Sequence, residues 1–573
     1  MTALSSGDHL LVAPVLLPLA TAAVLLLLGE QRRSARAAVS VVSTLLGVAI
    51  AVALLLRVDA TGPMGRVYLP GNWPVPFGIV LAVDRLAALL LVLGAAAGAA
   101  ALFFSLARWH RAGVHFHPLF QLQLMGLAGA FLTGDLFNLF VFFEVLLAAS
   151  YGLLLHGGGA ARVRASLHYI AVNLFASLLF LIGVALLYGV TGTLNMADIA
   201  ARLPHVPAAD RGLLHAGAAI LGVAFLAKAA AWPLNSWLPP AYAAASAPVA
   251  GVFAMLTKVG VYAVLRLWSL CFPDTAAGSA LFGGEVLVWG GMATLAFGAV
   301  GMLSSQQLGR LVGFSIIATS GTLLAAIGFG RPELTAAALF YLASSTLAAV
   351  AMYLLVELLE RAREEETDPP LEVAEPLAFF VDARSQSNLD DQELPVVGRA
   401  VPAAVAFLGV AFVVGALVVA GMPPLSGFVG KMAMLAALVE PDRAAVTAAG
   451  ATARWSLFGV LVVSGLLSAI ALMRVGIRQF WSPQSRPAPH LRIVECVPIG
   501  VLLGACVLLV VRGEPALRFL RDAAEGLHRP ELYIDAVRGA RTVGVRAEAP
   551  PARLVAGAVA KALPQLRVES RPQ

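Results

Sequence analysis

The chain has 573 residues, of which 60% are hydrophobic and 13% charged, and its mean hydropathy is +0.86. About a quarter of the residues in a typical soluble domain are charged, so this composition excludes a water-soluble globular protein. The net charge of +6 does not indicate a nucleic-acid partner, because the arginines lie near the ends of apolar segments, where they orient a membrane protein.

Apolar segments recur along the whole chain, and each is close to the roughly 20 residues that a helix needs to cross a bilayer. They predict an all-α polytopic membrane protein with about fourteen transmembrane helices. The first segment shows no cleavage site, so we interpret it as a helix and not as a signal peptide. The predicted spans are 10–29, 38–56, 79–107, 117–133, 136–155, 166–190, 212–231, 247–270, 280–303, 311–329, 334–359, 402–438 (interrupted), 454–473 and 497–511.

The positions of the arginines predict which side of the membrane each loop faces. More of them fall in the loops that lie inside if the N-terminus is outside, so the positive-inside rule predicts a periplasmic N-terminus, although the arginine-rich tail opposes it.

We expect four regions along the chain. They are 1–116 with helices 1–3, 117–270 with helices 4–8, 280–475 with helices 9–13 and a charged inside loop at 360–400, and 476–573 with helix 14 and a polar tail in which Ala516–Leu527 is helical.

Lysine is used sparingly in this chain. Of 39 basic residues only four are lysines, and Lys228, Lys258 and Lys431 lie inside apolar segments, whereas Lys561 lies in the tail. A charge at the bilayer centre costs about 2.5–3.5 kcal/mol by insertion scales. Arginine stays protonated in proteins, but lysine is able to release its proton when it is desolvated. The pattern indicates titratable ammonium groups. The alternative is that these lysines snorkel to the interface.

A single acidic residue, Glu144, lies at the middle of the fifth predicted span. Nothing near it in sequence neutralises it, so its partner must come from another helix, and Lys228 is the natural candidate. Such a pair would be a charge-coupled switch, because the lysine could release its proton when the pair opens. The alternative is a static buried ion pair that fixes helix packing.

Two proline-containing stretches match each other. PLNSWLP (Pro233–Pro239) lies in the seventh span and PLSGFVG (Pro424–Gly430), preceded by Pro423, lies in the twelfth. Proline removes a backbone donor and interrupts a helix, which a membrane tolerates where the freed groups line a cavity. Because the spans are an odd number apart, the copies would run in opposite directions, as in an inverted repeat with broken helices at its transport site. The alternative is two ordinary proline kinks.

Other polar residues carry weaker signals. Asp84, Asp135 and Glu285 lie near predicted helix starts and indicate capping or interfacial positions. His115 and His117 (HFHP) have a spacing that could bind metal, but without a third ligand we favour interfacial anchoring. We predict no catalytic residue, metal or cofactor. Candidate polar lining comes from Ser304, Ser305, Gln306, Gln307, Ser315, Ser320, Tyr341, Ser344, Ser345 and Thr346.

Several motifs together resemble a known family. They are FFEV around Glu144, FLAKAAAWPLNSWLPPAY around Lys228, MLTKVGVYAVLR around Lys258, and GMPPLSGFVGK ending at Lys431. They resemble the antiporter-like subunits, the proton-conducting membrane subunits shared by respiratory complex I, membrane-bound hydrogenases and Mrp-type multisubunit cation/proton antiporters. Three further stretches resemble the D-type subunits of the Mrp systems, also called Mnh or Pha: Gly71–Ile79, His115–Gly126 and Thr133–Gly157.

The resemblance implies a fourteen-helix fold with inverted repeats in helices 4–8 and 9–13 and with helices 7 and 12 broken. It implies that Glu144 and Lys228 form a coupled pair, that Lys258 is the middle relay and that Lys431 is the outer relay. It also implies a bacterial inner-membrane complex with A-, B-, C-, E-, F- and G-type subunits. No redox cofactor is implied in this subunit. Many relatives carry a histidine in the eleventh span where this chain has Ser344.

Three functions therefore stay open at the level of sequence. The first is a proton-translocating subunit of a Na⁺ or K⁺/proton antiporter. The second is a proton-pumping arm of a complex I-like or hydrogenase-type oxidoreductase. The third is a structural membrane subunit with a static ion pair.

Overall fold

The computed structural model describes residues 9–542 except 30, 63–64, 277, 368–402, 441–449 and 481–489. Within these ranges the protein has nineteen α-helices, three single-turn 3₁₀ helices and one two-stranded sheet. The prediction of an all-α, multi-pass membrane protein is confirmed.

The helices follow one another through the chain, with a β-hairpin between the second and third helices. The elements are α1 (Ala13–Leu27), α2 (Arg33–Thr61), β1 (Arg66–Tyr68), β2 (Leu81–Val83), α3 (Arg85–Ser105), α4 (Phe116–Leu132), α5 (Leu136–Leu154), α6 (Ala160–Thr191), α7 (Met196–Arg202), α8 (Arg211–Lys228), α9 (Leu238–Ala244), α10 (Ala247–Cys271), α11 (Gly284–Ser304), α12 (Leu308–Gly328), α13 (Pro332–Thr367), α14 (Ala403–Ala420), α15 (Ser426–Val439), α16 (Ala451–Phe480), α17 (Ile493–Val511), α18 (Gly513–Leu527) and α19 (Pro530–Arg538).

Twelve of the described helices are long and apolar enough to cross a membrane. Two more, α1 with 15 residues and α4 with 17, are shorter than a usual span. The short α9 and α15 continue α8 and α14 after a break. With α1 and α4 counted as crossings, the described part of the chain accounts for the fourteen spans that the sequence predicts.

Helices α10 and α13 form the centre of the molecule. The apolar stretch of each is entirely buried, whereas only about a third of the apolar stretch is buried in other spans such as α2, α14 and α17. Helix α10 packs against α3, α8 and α13. Helix α13 continues to Thr367, so the loop predicted at 360–400 begins as helix, and 368–400 lies outside the described residues. Because α10 is enclosed on all sides, its polar residues are shielded from lipid.

The β-hairpin corrects one predicted boundary. The predicted span 79–107 includes Leu81–Val83, which instead form β2 and pair antiparallel with β1. Helix α3 begins only at Arg85, because the Asp84 carboxylate accepts a hydrogen bond from the Ala87 amide at 2.9 Å and caps the helix. Apolar residues that precede a capping aspartate are as compatible with a short strand as with a helix, so hydropathy alone extended the span too far.

The C-terminal helices fold back onto the membrane-spanning bundle. Helix α18 is strongly amphipathic, contains the predicted helical patch Ala516–Leu527, and packs against α13, α3 and α10. Helix α19 packs against α7 and β1. The end of the predicted tail, 543–573, lies outside the described residues. The polar region 513–542 is therefore part of the folded protein.

Candidate functional site: buried lysines and broken helices

The first broken helix separates α8 from α9. Helix α8 ends at Lys228, and Ala230 adopts a left-handed backbone conformation with φ of 55°. The Ala231 amide donates to the Leu226 carbonyl at 2.9 Å, which closes the helix end in the manner of a Schellman motif. The Trp232–Pro233 peptide that follows is cis. The side chain of Trp237 turns back, and its Nε1 donates to the freed Ala227 carbonyl at 3.2 Å.

The second break has the same backbone plan. After α14 ends, Gly421 has φ of 74°, and the Met422 amide donates to the Leu417 carbonyl at 2.9 Å. The Pro423–Pro424 peptide is cis, as is Trp232–Pro233 in the first break. In both breaks the left-handed residue stands three positions before the proline of the cis peptide, Pro233 or Pro424, so the sequence echo corresponds to two matching breaks. That the two halves form inverted five-helix repeats stays a prediction.

One predicted break residue plays a different part. Pro239 lies at the second position of α9, not between the two helix halves. Proline is compatible with the first turn of a helix, where its missing N–H would have no partner in any case. Pro233, Pro423 and Pro424 are the prolines that lie in the breaks themselves.

The predicted pair of Glu144 and Lys228 is bridged by a third residue. Ser177 on α6 donates from Oγ to Glu144 Oε1 at 2.5 Å, and Lys228 Nζ donates to the same Oγ at 3.3 Å. Lys228 also donates to the backbone oxygen and to Oδ1 of Asn173, each at 3.3 Å. That the two groups act as a coupled pair stays a prediction. The carboxylate and the ammonium are connected through a hydroxyl.

Lys258 lies in the centre of α10 and is 1% exposed. Its Nζ has no hydrogen-bond partner among the described residues. The neighbouring hydroxyls of Thr257 and Tyr262 donate to backbone carbonyls of Ala254 and Phe131 and not to the lysine. A buried polar group without a partner destabilises the fold, so its presence calls for a role other than packing.

Lys431 lies on the far side of the second break. It is buried, and its Nζ donates to the Ala420 carbonyl at 2.8 Å, one of the carbonyls that the break frees. The side chain runs against Gly421, where an added Cβ would stand 2.5 Å from Lys431 Cδ. The broken helix thus holds this ammonium with its own backbone.

Two of the candidate lining residues, Tyr341 and Ser344, lie at this second break. Ser344 Oγ and Ser426 Oγ share a hydrogen bond of 2.7 Å, and both side chains are fully buried. Tyr341 packs directly on Gly430, the residue before Lys431. Thr346 Oγ1 has no partner among the described residues. The sequence analysis did not identify Ser426 as a partner of Ser344, because a single serine after two prolines is typical of a turn.

The acidic residues near helix starts do act as caps. Asp84 and Asp135 are the N-caps of α3 and α5, and Glu285 lies in the first turn of α11. Asp84 has a second partner that the sequence did not reveal. Both Arg266 guanidinium nitrogens donate to its carboxylate, at 2.6 and 2.7 Å, which joins the start of α3 to the end of α10.

The two histidines of HFHP lie at the start of α4, where His115 is exposed, and their interfacial anchoring stays a prediction. His117 is buried in the first turn of α4, and its ring stands 5.9 Å from that of His110. Neither ring nitrogen of His117 has a hydrogen-bond partner within the described ranges. In the same ranges no group of three or more His, Cys, Asp or Glu side chains could hold a metal ion.

A polar cavity of about 440 Å³ opens beside the start of α10. Its lining includes Ser246 and Tyr353, whose buried hydroxyls have no hydrogen-bond partner among the described residues. Glu357, also in the lining, accepts hydrogen bonds from Trp109 Nε1 at 2.6 Å and from Arg361 at 2.8 Å. The cavity therefore brings a polar surface to the helix that carries Lys258.

Comparison with known proteins identifies the family. Residues 133–455, which include both breaks and all four predicted relay residues, match the family described as "NADH:quinone oxidoreductase/Mrp antiporter, TM". The chain belongs to this family. The match covers more than half of the chain, and the resemblance stated from the motifs is confirmed.

Individual relatives extend the likeness over nearly the whole chain. The D-type subunit of a probable K⁺/H⁺ antiporter from Rhizobium meliloti (strain 1021) is 51% identical over 94% of this chain and 99% of its own length. The D-type subunit of a Na⁺/H⁺ antiporter from Alkalihalophilus pseudofirmus is 31% identical over 92% of this chain and 99% of its own length. A chain of the Mrp complex from Dietzia sp. DQ12-45-1b superposes with a TM-score of 0.76 at 25% identity, covering 93% of this chain and 100% of that chain.

Proposed function

We propose that this antiporter-family chain is the D-type, proton-translocating subunit of a multisubunit antiporter that exchanges protons for Na⁺ or K⁺. The observation that carries the proposal is the set of three buried lysines, one with no partner among the described residues and two beside matching helix breaks. The relatives named as D-type subunits of K⁺/H⁺ and Na⁺/H⁺ antiporters support it.

The relay begins at Glu144, passes through Ser177 to Lys228, and continues over Lys258 to Lys431. Each step passes a proton between titratable groups of this row. Lysine suits the task because its ammonium group can release a proton, whereas arginine stays charged. Tyr341, Ser344 and Thr346 line the outer end, and the Ser344–Ser426 hydroxyl pair supplies donors and acceptors there.

Other proteins of the assembly complete the site. Glu144 is only half-buried, at the middle of α5, and bulky apolar side chains such as Phe137 and Phe175 are exposed near it. A carboxylate facing lipid at that depth is expensive, so a protein partner is expected to cover it. The proposed assembly is the A-, B-, C-, E-, F- and G-type complex in a bacterial inner membrane. The chain acts there as a transporter component and not as an enzyme, with its N-terminus in the periplasm.

Antiport in everted membrane vesicles that contain the whole complex tests the proposal. Adding Na⁺, K⁺ or Li⁺ should dissipate a preformed pH gradient, and Lys228→Ala or Glu144→Ala should abolish this while the complex still assembles. Lys228→Arg should fail as well, because charge is kept but proton release is lost. Arg310→Gln, at an exposed arginine of α12, is the control and should keep wild-type antiport.

The same vesicles separate the competing functions. Antiport that proceeds without an electron donor is expected for the proposed function, whereas dependence on quinone or ferredoxin chemistry would favour the oxidoreductase alternative. Full activity in both alanine variants would favour a static structural pair.

A further inference from the structure

A second large cavity lies away from the lysine row, at the end of the bundle where α17 begins. Its volume is about 830 Å³, and Arg108, Arg361, Arg492 and His490 contribute to its lining. Glu495 is the one acidic residue among the described lining residues. The described part of the lining is therefore basic, and it lies at the side of the membrane to which the sequence assigns most loop arginines.

The glutamate in this cavity is already neutralised. Glu495 is 1% exposed, and its Oε1 accepts from Arg361 Nη1 at 2.8 Å. Its Oε2 accepts from the Arg492 amide at 3.2 Å, which caps α17. Both carboxylate oxygens are thus engaged inward, and Glu495 has little capacity left to balance the other two arginines.

Those two arginines have no acidic partner among the described residues. Arg492 Nη1 donates to the Ala107 carbonyl at 2.7 Å, which positions the guanidinium without neutralising it. The Arg108 guanidinium lies 5.7 Å from the centre of the Trp109 ring and makes no hydrogen bond to a described residue. Both side chains are exposed. An anion that enters the cavity would meet two available guanidinium groups.

The surface that continues from the cavity along the bundle is apolar. On α17 the side chains of Ile493, Val497 and Val501 are exposed, and on α14 that of Val410 is exposed. Both helices are among the segments that are long and apolar enough to cross a membrane, so this exposed surface suits acyl chains. A basic pocket at the membrane boundary above an apolar surface matches the two parts of an anionic lipid, its headgroup and its acyl chains.

We propose that this cavity binds the phosphodiester headgroup of an anionic glycerophospholipid through Arg108 and Arg492, with the acyl chains along α14 and α17. The ligand is a lipid and not a free anion, because only a lipid also uses the apolar surface. The site is separate from the lysine row, so it does not depend on the proposed transport function.

Native mass spectrometry of the purified complex tests this site. The complex is exchanged into phosphatidylglycerol or phosphatidylcholine with identical acyl chains, and lipid retention is measured. Wild type should retain phosphatidylglycerol selectively. Each basic residue near an anionic group contributes a factor of about five, so Arg108→Gln should weaken retention about fivefold and the double variant with Arg492→Gln roughly 30-fold. Arg310→Gln is the matched control and should retain the lipid as wild type does.

Arg492→Gln could disturb the start of α17. The single Arg108→Gln variant then still tests the site, because the Arg108 side chain makes no hydrogen bond to a described residue. Equal retention of the two lipids would overturn the proposal, as would undiminished retention in both variants. Displacement of the lipid by inorganic phosphate at equal concentration would overturn the lipid assignment. If the lipid binds only after the other subunits are removed, an acidic segment from one of them occupies the cavity and the proposal is wrong.

Discussion

The hydroxyl of Ser177 makes the connection between Glu144 and Lys228 indirect. A direct contact between two opposite charges in a low-dielectric interior is strongly attractive and would hold both charges in place. A serine hydroxyl accepts from the ammonium and donates to the carboxylate at the same time, so it connects the two groups without locking them together. Rotation of one side chain is then enough to open the link.

Removing this hydroxyl should slow transport. Hydrogen bonds to charged groups contribute about 1.5–3 kcal/mol, so we expect Ser177→Ala to lower the antiport rate roughly tenfold or more. Ser177→Thr keeps a hydroxyl and should retain most of the rate. Ser166→Ala removes another buried serine of α6, one whose Oγ has no partner among the described residues, and should leave antiport unchanged. A wild-type rate in Ser177→Ala would show that the bridge is not used.

Lys258 should reduce the stability of the fold. Its buried amine has no protein partner in the described ranges, so Lys258→Met, which conserves most of the volume, should raise the free energy of unfolding by about 1–3 kcal/mol while abolishing antiport. Thermal unfolding of the purified chain measures the first effect and vesicle antiport the second. Lys431→Met is the contrast, because it loses the hydrogen bond to the Ala420 carbonyl and should gain no stability. A destabilised Lys258→Met protein would indicate a structural role.

At the scale of secondary-structure elements, the two breaks share one backbone conformation although their sequences differ. Each break needs a residue in the left-handed conformation, and the chain supplies Ala230 in one and Gly421 in the other. A left-handed conformation costs a residue with a Cβ about 1–2 kcal/mol, a strain that glycine avoids. In the second break the Lys431 side chain packs against this position, so an added Cβ would have to displace that side chain.

Exchanging these residues should have opposite effects. Gly421→Ala places a Cβ 2.5 Å from Lys431 Cδ in addition to the backbone strain, so we expect a loss of about 2 kcal/mol in stability and impaired antiport. Ala230→Gly should be neutral or slightly stabilising, because relief of strain exceeds the added chain entropy of about 0.5–1 kcal/mol. Thermal unfolding and vesicle antiport of both variants provide the comparison, and similar losses in the two would contradict the requirement for glycine.

At the scale of the whole molecule, the C-terminal helices join the ends of distant spans. Tyr533 of α19 lies 5.0 Å from the Arg266 guanidinium, which itself binds Asp84. Arg538 reaches Asp198 of α7 at 3.7 Å, and His528, after α18, bonds to Thr335 of α13 at 3.0 Å. These contacts connect α3, α7, α10 and α13 at one end of the bundle. Docking of α18 and α19 therefore stabilises the helix that carries Lys258.

This docking should weaken in mild acid. Burial lowers the pKa of His528 below its ordinary value, so the undocked state binds a proton more readily than the docked state. Stability from this group is complete above the ordinary histidine pKa of about 6.5 and is lost as pH falls from there towards the lowered folded pKa. The protection factors of amides in α18 and α19, which correct for slower intrinsic exchange in acid, should fall over that interval in wild type but not in His528→Gln. The same acid response in both proteins would exclude His528 as its source.

The fourteen spans and the family could be predicted from the sequence, and so could the burial of Lys228, Lys258 and Lys431. Hydrophobic length, the rarity of lysine and the repeated Pro-Leu motif are local signals, and the bilayer makes them strong because an unpaired charge or an interrupted helix is costly there. The paired breaks follow from the same constraint. The D-type resemblance was equally readable, since it rests on contiguous motifs.

Only the tertiary structure decided which groups meet. Ser177, Asn173 and Ser426 are ordinary polar residues in their own helices, and only helix packing places them against Glu144, Lys228 and Ser344. The strand at Leu81–Val83, the burial of His117 and the docking of α18 likewise depend on partners far away in the chain. Sequence patterns indicate whether a segment lies in water or in the membrane. Hydrogen bonds between helices depend on how segments rotate against one another, and no local pattern contains that information.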